Sequence, residues 1–294
     1  MPIIEEFREY LFQLGYGKKS RHILPHNVRE FLEFIKDTHE YLNDELQWIN
    51  SQHINMFYDW LQIRPNKRKE GGLSEIMISH YIYSLRIFFK YLEITEQINF
   101  NPISAMKFKR PKTRRREPLT QNEIKELFGA TQTLKEKVIL HLFYSLGLRR
   151  SEAESLNIND IHLNSGMMYV REGKGQKRRA IPLTPKVKKD IENYFNKERK
   201  IIKNLHDTEA FIISRTGYRM TGNNLNRIFK DILGRTKINK PETSLHHLRH
   251  SIATHLLENG LSVEYVRDFL GHTHLEATQV YVSVSKEQIL NCDF

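Results

Sequence analysis

The chain of 294 residues has one cysteine, Cys292. An internal disulfide is therefore excluded, and so is a cysteine-rich zinc site. No stretch approaches the roughly 18 apolar residues of a membrane span. The first residues, Met-Pro-Ile-Ile-Glu-Glu, carry acids where a secretion signal carries bases. The expected place of work is a reducing cytoplasm, with no membrane partner. Acid is also short of base: 35 Asp and Glu face 46 Lys and Arg, a formal charge of +11. A surplus of that sign points to a polyanion. Acid is absent altogether from 107–116, which holds Lys107, Lys109, Arg110, Lys112, Arg114, Arg115 and Arg116. Pro111 and Pro118 keep this stretch extended. It reads as a linker that neutralises phosphates as it crosses a nucleic acid.

What is present before that stretch is helical. Ile4, Phe7, Leu11 and Leu14 recur at helical spacing, and Gly15 and Gly17 follow. Val28, Phe31, Leu32 and Ile35 make a second stripe, with Pro25 expected in its first turn, where no amide hydrogen is needed. Ser51 precedes a third, with Ile54, Phe57, Tyr58 and Leu61. A polar loop from Arg64 to Gly72 separates it from the longest stripe, Ile78 to Leu92. Four amphipathic helices in about a hundred residues make a small all-α domain.

After the linker, Thr120 with Glu123 and Thr133 with Glu136 are capping boxes. Val138–Tyr144 is apolar nearly all round, so that helix is expected to be buried. Gly147-Leu-Arg149-Arg-Ser-Glu152 opens the next helix. An arginine there can reach an anion that the helix amides also favour. Gly166–Arg171 and Lys177–Pro182 read as two strands around Glu172-Gly-Lys174-Gly-Gln176, a β-hairpin with Lys174 at its tip. The glycine spacing is not that of a P-loop. Residues 185–204 and 221–234 look helical, with Arg227, Lys230 and Arg235 as further candidates to face DNA. Phe211–Ser214 is a short apolar link.

The densest chemistry lies in Ser244–Tyr281. His246 and Arg249 are three apart on one helix face. Leu245, Leu248, Ile252 and Leu256 would face the core. Gly260 and Gly271 end two helices as C-cap glycines do. Thr273 with Glu276 would start another that delivers Tyr281. An arginine and two histidines around a point, His246 and His272, suit a phosphate. A phenol beside them suits nucleophilic attack on it. His246 and His250 have a metalloprotease spacing, but His247 stands where that signature needs Glu. His247, His250 and His255 are therefore read as packing or supporting groups.

The ordered set of Gly-Leu-Arg-x-Ser-Glu, Gly-Lys-Gly on a hairpin, His-x-x-Arg, Leu-Gly-His and Tyr281 resembles the tyrosine recombinase family, the phage integrases and Xer-like enzymes. The resemblance spans roughly 1–290, with Ala277 where the family often has Thr. It implies a mainly α chain of two domains. Residues 1–108 would be the four-helix core-binding domain that clasps DNA, and 109–117 the basic linker. Residues 118–294 would be a mostly helical catalytic domain with a small antiparallel sheet. It implies catalysis by Arg149, Lys174, His246, Arg249, His272 and Tyr281, with Glu152 orienting the site and no metal or cofactor. The implied partners are duplex DNA with an inverted-repeat core site, and other copies of the chain. Two copies would bind each site and four would assemble in synapsis, with room for an accessory protein. A type IB topoisomerase-like enzyme and a catalytically inactive DNA-binding regulator are the alternatives.

Overall fold

The structure, a computed structural model, describes residues 2–38, 46–66, 70–111, 117–171, 178–202, 206 and 209–271. The chain divides into two compact units, Met1–Arg115 and Arg116–Phe294. Each has its own apolar core. No helix among the described residues is long and apolar enough to cross a membrane.

The first unit contains α1 (Pro2–Gln13), α2 (Lys18–Thr38), α3 (Ser51–Ile63) and α4 (Glu75–Ile94). The stripes named above point inward: Phe7, Phe31, Phe57, Phe88 and Phe89 are fully buried. Their rings meet edge to face, as Phe7 does with Phe88 at 5.2 Å. Two expectations fail locally. Leu14 falls beyond the end of α1 and is exposed. Pro25 lies inside α2, seven residues from its start at Lys18, rather than in the first turn. A proline there removes one ladder hydrogen bond and costs about 3 kcal/mol. The buried row Leu24, Val28, Phe31, Leu32 and Ile35 holds the helix through it.

Arg64, which opens the polar loop in the sequence, is itself buried. Its guanidinium forks onto the two oxygens of Glu30 at 2.7 and 3.2 Å. It also donates to the Tyr81 hydroxyl at 2.7 Å. Tyr81 in turn donates to Glu30. Burial first, then the Glu30 hydrogen bond, push the Tyr81 hydroxyl up to about 12.

The second unit begins with α5 (Gln121–Gly129), α6 (Leu134–Phe143) and α7 (Arg150–Ser155). Thr120 and Glu123 close the expected capping box on α5. On α6 Thr133 caps Glu136, whose carboxylate reaches Gln132 instead of closing the box. Val138 to Phe143 are all buried, as the apolar run required. A three-stranded antiparallel sheet follows in the order β1 (Ile161–His162), β2 (Met167–Val170) and β3 (Arg179–Pro182). Met167 pairs with Pro182 and Val170 with Arg179, so β2 and β3 form the hairpin arms. Phe211, Ile212 and Ile213 of the Phe211–Ser214 link are buried, and Ile213 makes an isolated bridge to Arg219.

The unit continues with α8 (Pro185–Asn193), α9 (Gly222–Gly234), α10 (Leu245–Glu258) and α11 (Val263–Leu270). Leu245, Leu248, Ile252 and Leu256 face the core. Gly260 and Gly271 adopt φ of 85° and 66°, the left-handed region that ends a helix cheaply only for glycine. Of the candidates on and next to α9, its C-cap Arg235 is spent within the protein, forking onto Glu136 at 2.9 and 2.7 Å. Lys230 donates to the Pro241 carbonyl. The expected helix from Thr273 lies outside the described residues.

Candidate active site

Arg149 is the N-cap of α7, and Glu152 sits one turn in. The Glu152 carboxylate accepts the Arg149 backbone N–H at 2.8 Å and its Nη1 at 2.7 Å. The capping arrangement that starts the helix therefore also holds the guanidinium beside the helix N-terminus. Arg149 Nη2 donates to the Gly271 carbonyl at 2.7 Å, joining α7 to the end of α11.

Arg249 comes up from α10. It is buried and donates to the carbonyls of Gly147 and, at 2.6 Å, Leu270. Its Nη1 also lies 3.8 Å from the Glu152 carboxylate. Gly147 has a φ of 57°, and a Cβ there would meet Leu270 at 2.9 Å. Only glycine lets the α6–α7 turn approach the end of α11 this closely. The two carbonyls that hold Arg249 are thus placed by one glycine contact.

A third guanidinium completes the cluster. Arg179 of β3 donates to both oxygens of Glu152, at 3.1 and 2.8 Å. It belongs to none of the motifs. A signal was there: Arg179 and Ile181 share strand parity, and Ile181 points to the core. Three guanidiniums against one carboxylate leave these four groups with two positive charges in excess.

The electrostatics follow from this crowding. Burial would push the Glu152 carboxyl up. Hydrogen bonds and charge from Arg179, and the Arg149 backbone and guanidinium, overcome that and hold it at about 2. Burial, then repulsion from Arg149, pulls Arg249 down to about 9, against the attraction of Glu152. Arg249 is still charged at neutral pH. A guanidinium has five N–H donors. Anchoring two of them to carbonyls or a carboxylate leaves others for an anion.

His246 starts α10 on its exposed side, one turn before the buried Arg249. His247 accepts the Ser244 backbone N–H at 3.0 Å and so caps the helix. His255 is buried against the Tyr144 hydroxyl at 2.9 Å, and burial lowers its pKa. Among the described residues, no group of three His, Cys, Asp or Glu is placed to hold a metal. Arg149, Glu152 and Arg249 therefore meet. Lys107, Lys109 and Arg110 are exposed in the first unit. Lys112, Arg114, Arg115, Arg116, Lys174, His272 and Tyr281 lie outside the described residues.

Residues 117–288 match the phage integrase family. The tyrosine recombinase XerD of Oceanobacillus iheyensis is 37% identical over 296 residues, covering 97% of this chain and 95% of that protein. XerC of Bacillus subtilis is 30% identical over 302 residues, covering 98% and 93%. Among solved structures, a lambda integrase dimer bound to a COC′ core site shares the fold. That likeness has a TM-score of 0.66 at 18% identity and covers 95% of this chain and 98% of that one. On the family match and these full-length relatives, the chain belongs to the phage integrase family and is a tyrosine recombinase of the Xer-like kind.

Proposed function

We propose that this chain cuts and rejoins DNA at a specific core site through a covalent bond to Tyr281. The observation that carries the reading is the seat of Arg149 and Arg249, two forks anchored by backbone carbonyls and one carboxylate with positive charge in excess. A phosphodiester under attack gathers negative charge on its non-bridging oxygens, and preorganised donors there are worth on the order of 3 kcal/mol each.

In this assignment Tyr281 Oη attacks phosphorus, and the bond from phosphorus to the 5′ oxygen breaks. Tyrosine titrates near pH 10, so only about one phenol in a thousand is ionised at pH 7. His246 takes the phenol proton, and Lys174 hands one to the departing 5′ oxygen. His272 donates a hydrogen bond to the phosphate. The product is a 3′-phosphotyrosyl bond and a free 5′ hydroxyl. A 5′ hydroxyl from a partner strand reverses the step, so the bond energy is kept and no ATP is used.

Residues 1–108 are assigned to clasp the duplex, 109–117 to cross its phosphates, and 118–294 to do the chemistry. Lys107, Lys109, Arg110, Lys112, Arg114, Arg115 and Arg116 supply the charge for that crossing. The partner is duplex DNA with an inverted-repeat core, bound by two copies, with four copies in synapsis. The lambda integrase dimer on its core site supports two copies per site. The work is assigned to the cytoplasm, on the nucleoid.

The test begins by mapping the cleaved position on DNA flanking the gene. A nicked duplex of that site should then yield a covalent protein–DNA adduct in a denaturing gel. Tyr281→Phe should bind the duplex as well and give no adduct. An adduct of normal yield from that variant would overturn the assignment. Relaxation of supercoiled DNA lacking the site would point to a topoisomerase instead.

A further inference from the structure

Arg179 has a place in the reaction that none of the recognition motifs gives it. It stands at the start of β3, opposite Val170, on the strand face that also carries the fully buried Ile181. A guanidinium on such a face is costly unless it is paired with good geometry. Its pairing is the fork onto Glu152. Glu152 Oε1 takes Nη1 of both Arg149 and Arg179. Oε2 takes the Arg149 backbone N–H and Arg179 Nη2. The carboxylate is thus clasped from two sides, and its plane is set by both.

The second contact is with Gly271. A Cβ at that position would lie 2.9 Å from Arg179 Nη1 and 3.2 Å from its Cδ. The side chain of Arg179 therefore fills the space that a Cβ at Gly271 would need, and the Gly271 carbonyl is the other anchor of Arg149. Both groups that aim the Arg149 guanidinium, Glu152 and the Gly271 carbonyl, rest on Arg179.

We propose that Arg179 is a positioning residue for strand cleavage, holding Glu152 and Gly271 so that Arg149 meets the scissile phosphate at the right angle. The inference rests on the strand-transfer reading above. It does not require Arg179 to touch DNA. Lysine cannot replace it, because a point charge on a flexible stem cannot hold both carboxylate oxygens in one plane.

The test compares Arg179→Lys with the unmutated chain on the nicked core-site duplex. The ion pair keeps its charge, so the Kd for the duplex should stay close to that of the unmutated chain, and the melting temperature is read on the same samples. The cleavage rate should fall roughly 100-fold, the scale of an ångström of misplacement. Duplexes with sulfur at one or other non-bridging oxygen of the scissile phosphate give the decisive readout. The ratio of their cleavage rates reports which oxygen Arg149 grips, and it should change in Arg179→Lys. Arg179→Lys with an unchanged rate and an unchanged sulfur ratio would overturn the proposal. A lower rate that tracks only a lower melting temperature, with the ratio unmoved, would make Arg179 a structural brace and overturn it too. If the unmutated chain itself forms no adduct, the strand-transfer reading fails first, and this inference with it.

Discussion

In each unit a glutamate lies under arginine, and the two clusters differ in arithmetic. In the first unit, among the described residues, one guanidinium, Arg64, meets the Glu30 carboxylate, and the Tyr81 hydroxyl donates to it as well. The charges cancel. In the second unit, Arg149, Arg179 and Arg249 share Glu152. A closed pair needs nothing further from solution. An uncancelled surplus is expensive to desolvate until an anion arrives. That cost is visible in Arg249, which burial and Arg149 pull down to about 9. The lesson is that charge balance, not the presence of buried ions, separates a brace from a binding site.

The sharpest way to break the comparison is to remove one arginine from each cluster. Arg149→Ala or Arg249→Ala should slow cleavage by roughly 10²–10³-fold, the loss expected for one oxyanion donor. Arg64→Ala takes the guanidinium away from the largely covered Glu30 carboxylate, and should cost about 3–5 kcal/mol of stability. The variant that remains folded should cleave at the normal rate once bound. Urea unfolding and single-turnover cleavage measured on the same samples separate the two outcomes. If Arg64→Ala slows chemistry while stability holds, the distinction between brace and site is wrong.

Titration sharpens the same contrast from opposite ends of the pH scale. The Glu152 carboxyl is held at about 2, below its ordinary 4.5. Its ionised form is favoured in the folded state, so its contribution is whole above about pH 4.5 and is lost as pH falls through 2. At about 1.4 kcal/mol per unit, the amount is about 3 kcal/mol. Tyr81 is displaced the other way, up to about 12 from 10. Its neutral form is favoured in the folded state, so its contribution is whole below pH 10 and is lost as pH rises through 12. Glu152→Gln should flatten the acid limb of the stability profile, and Tyr81→Phe the alkaline limb. Denaturant melts across both limits read this directly.

The brace and the site were not equally legible in the sequence. Local rules reached far: the Thr120–Glu123 box, the left-handed glycines at 260 and 271, and the inward row on α10 all follow from spacing within one or two turns. The meeting of Arg149 with Glu152 is equally local, three residues apart on one helix. Arg64 looked like the first residue of a polar loop because its partners, Glu30 and Tyr81, stand on two other helices. Arg179 looked like one more base in a basic strand. Its meaning depends on a partner 27 residues earlier and on a glycine at the end of α11. Pro25 misled for the opposite reason: a strong local rule was overridden by a tertiary stripe. Pairings that tertiary structure creates have no period for a sequence pattern to reveal.

The smallest expected effect concerns charges that neither unit buries. Lys109 pairs with Glu75 at 2.7 Å, and both side chains are largely exposed. The pair raises the Lys109 pKa, through the Glu75 hydrogen bond first and its charge second. Solvent screens such a pair, so it contributes little to holding the fold. A phosphate can take the place of Glu75 at small cost. Lys109→Ala should therefore leave the melting temperature where it is, unlike Arg64→Ala, and leave the rate of chemistry alone, unlike Arg149→Ala. What it should change is the salt dependence of DNA binding. Losing one phosphate contact makes the slope of log K against log salt shallower by about 0.9. Mobility-shift titrations at several salt concentrations measure that slope. Glu75→Gln supplies the counter-test: it releases Lys109 from its internal partner and should strengthen binding at fixed salt. If neither substitution alters binding, Lys109 is bound to Glu75 alone, and the path of the linker over the phosphates begins further along the chain.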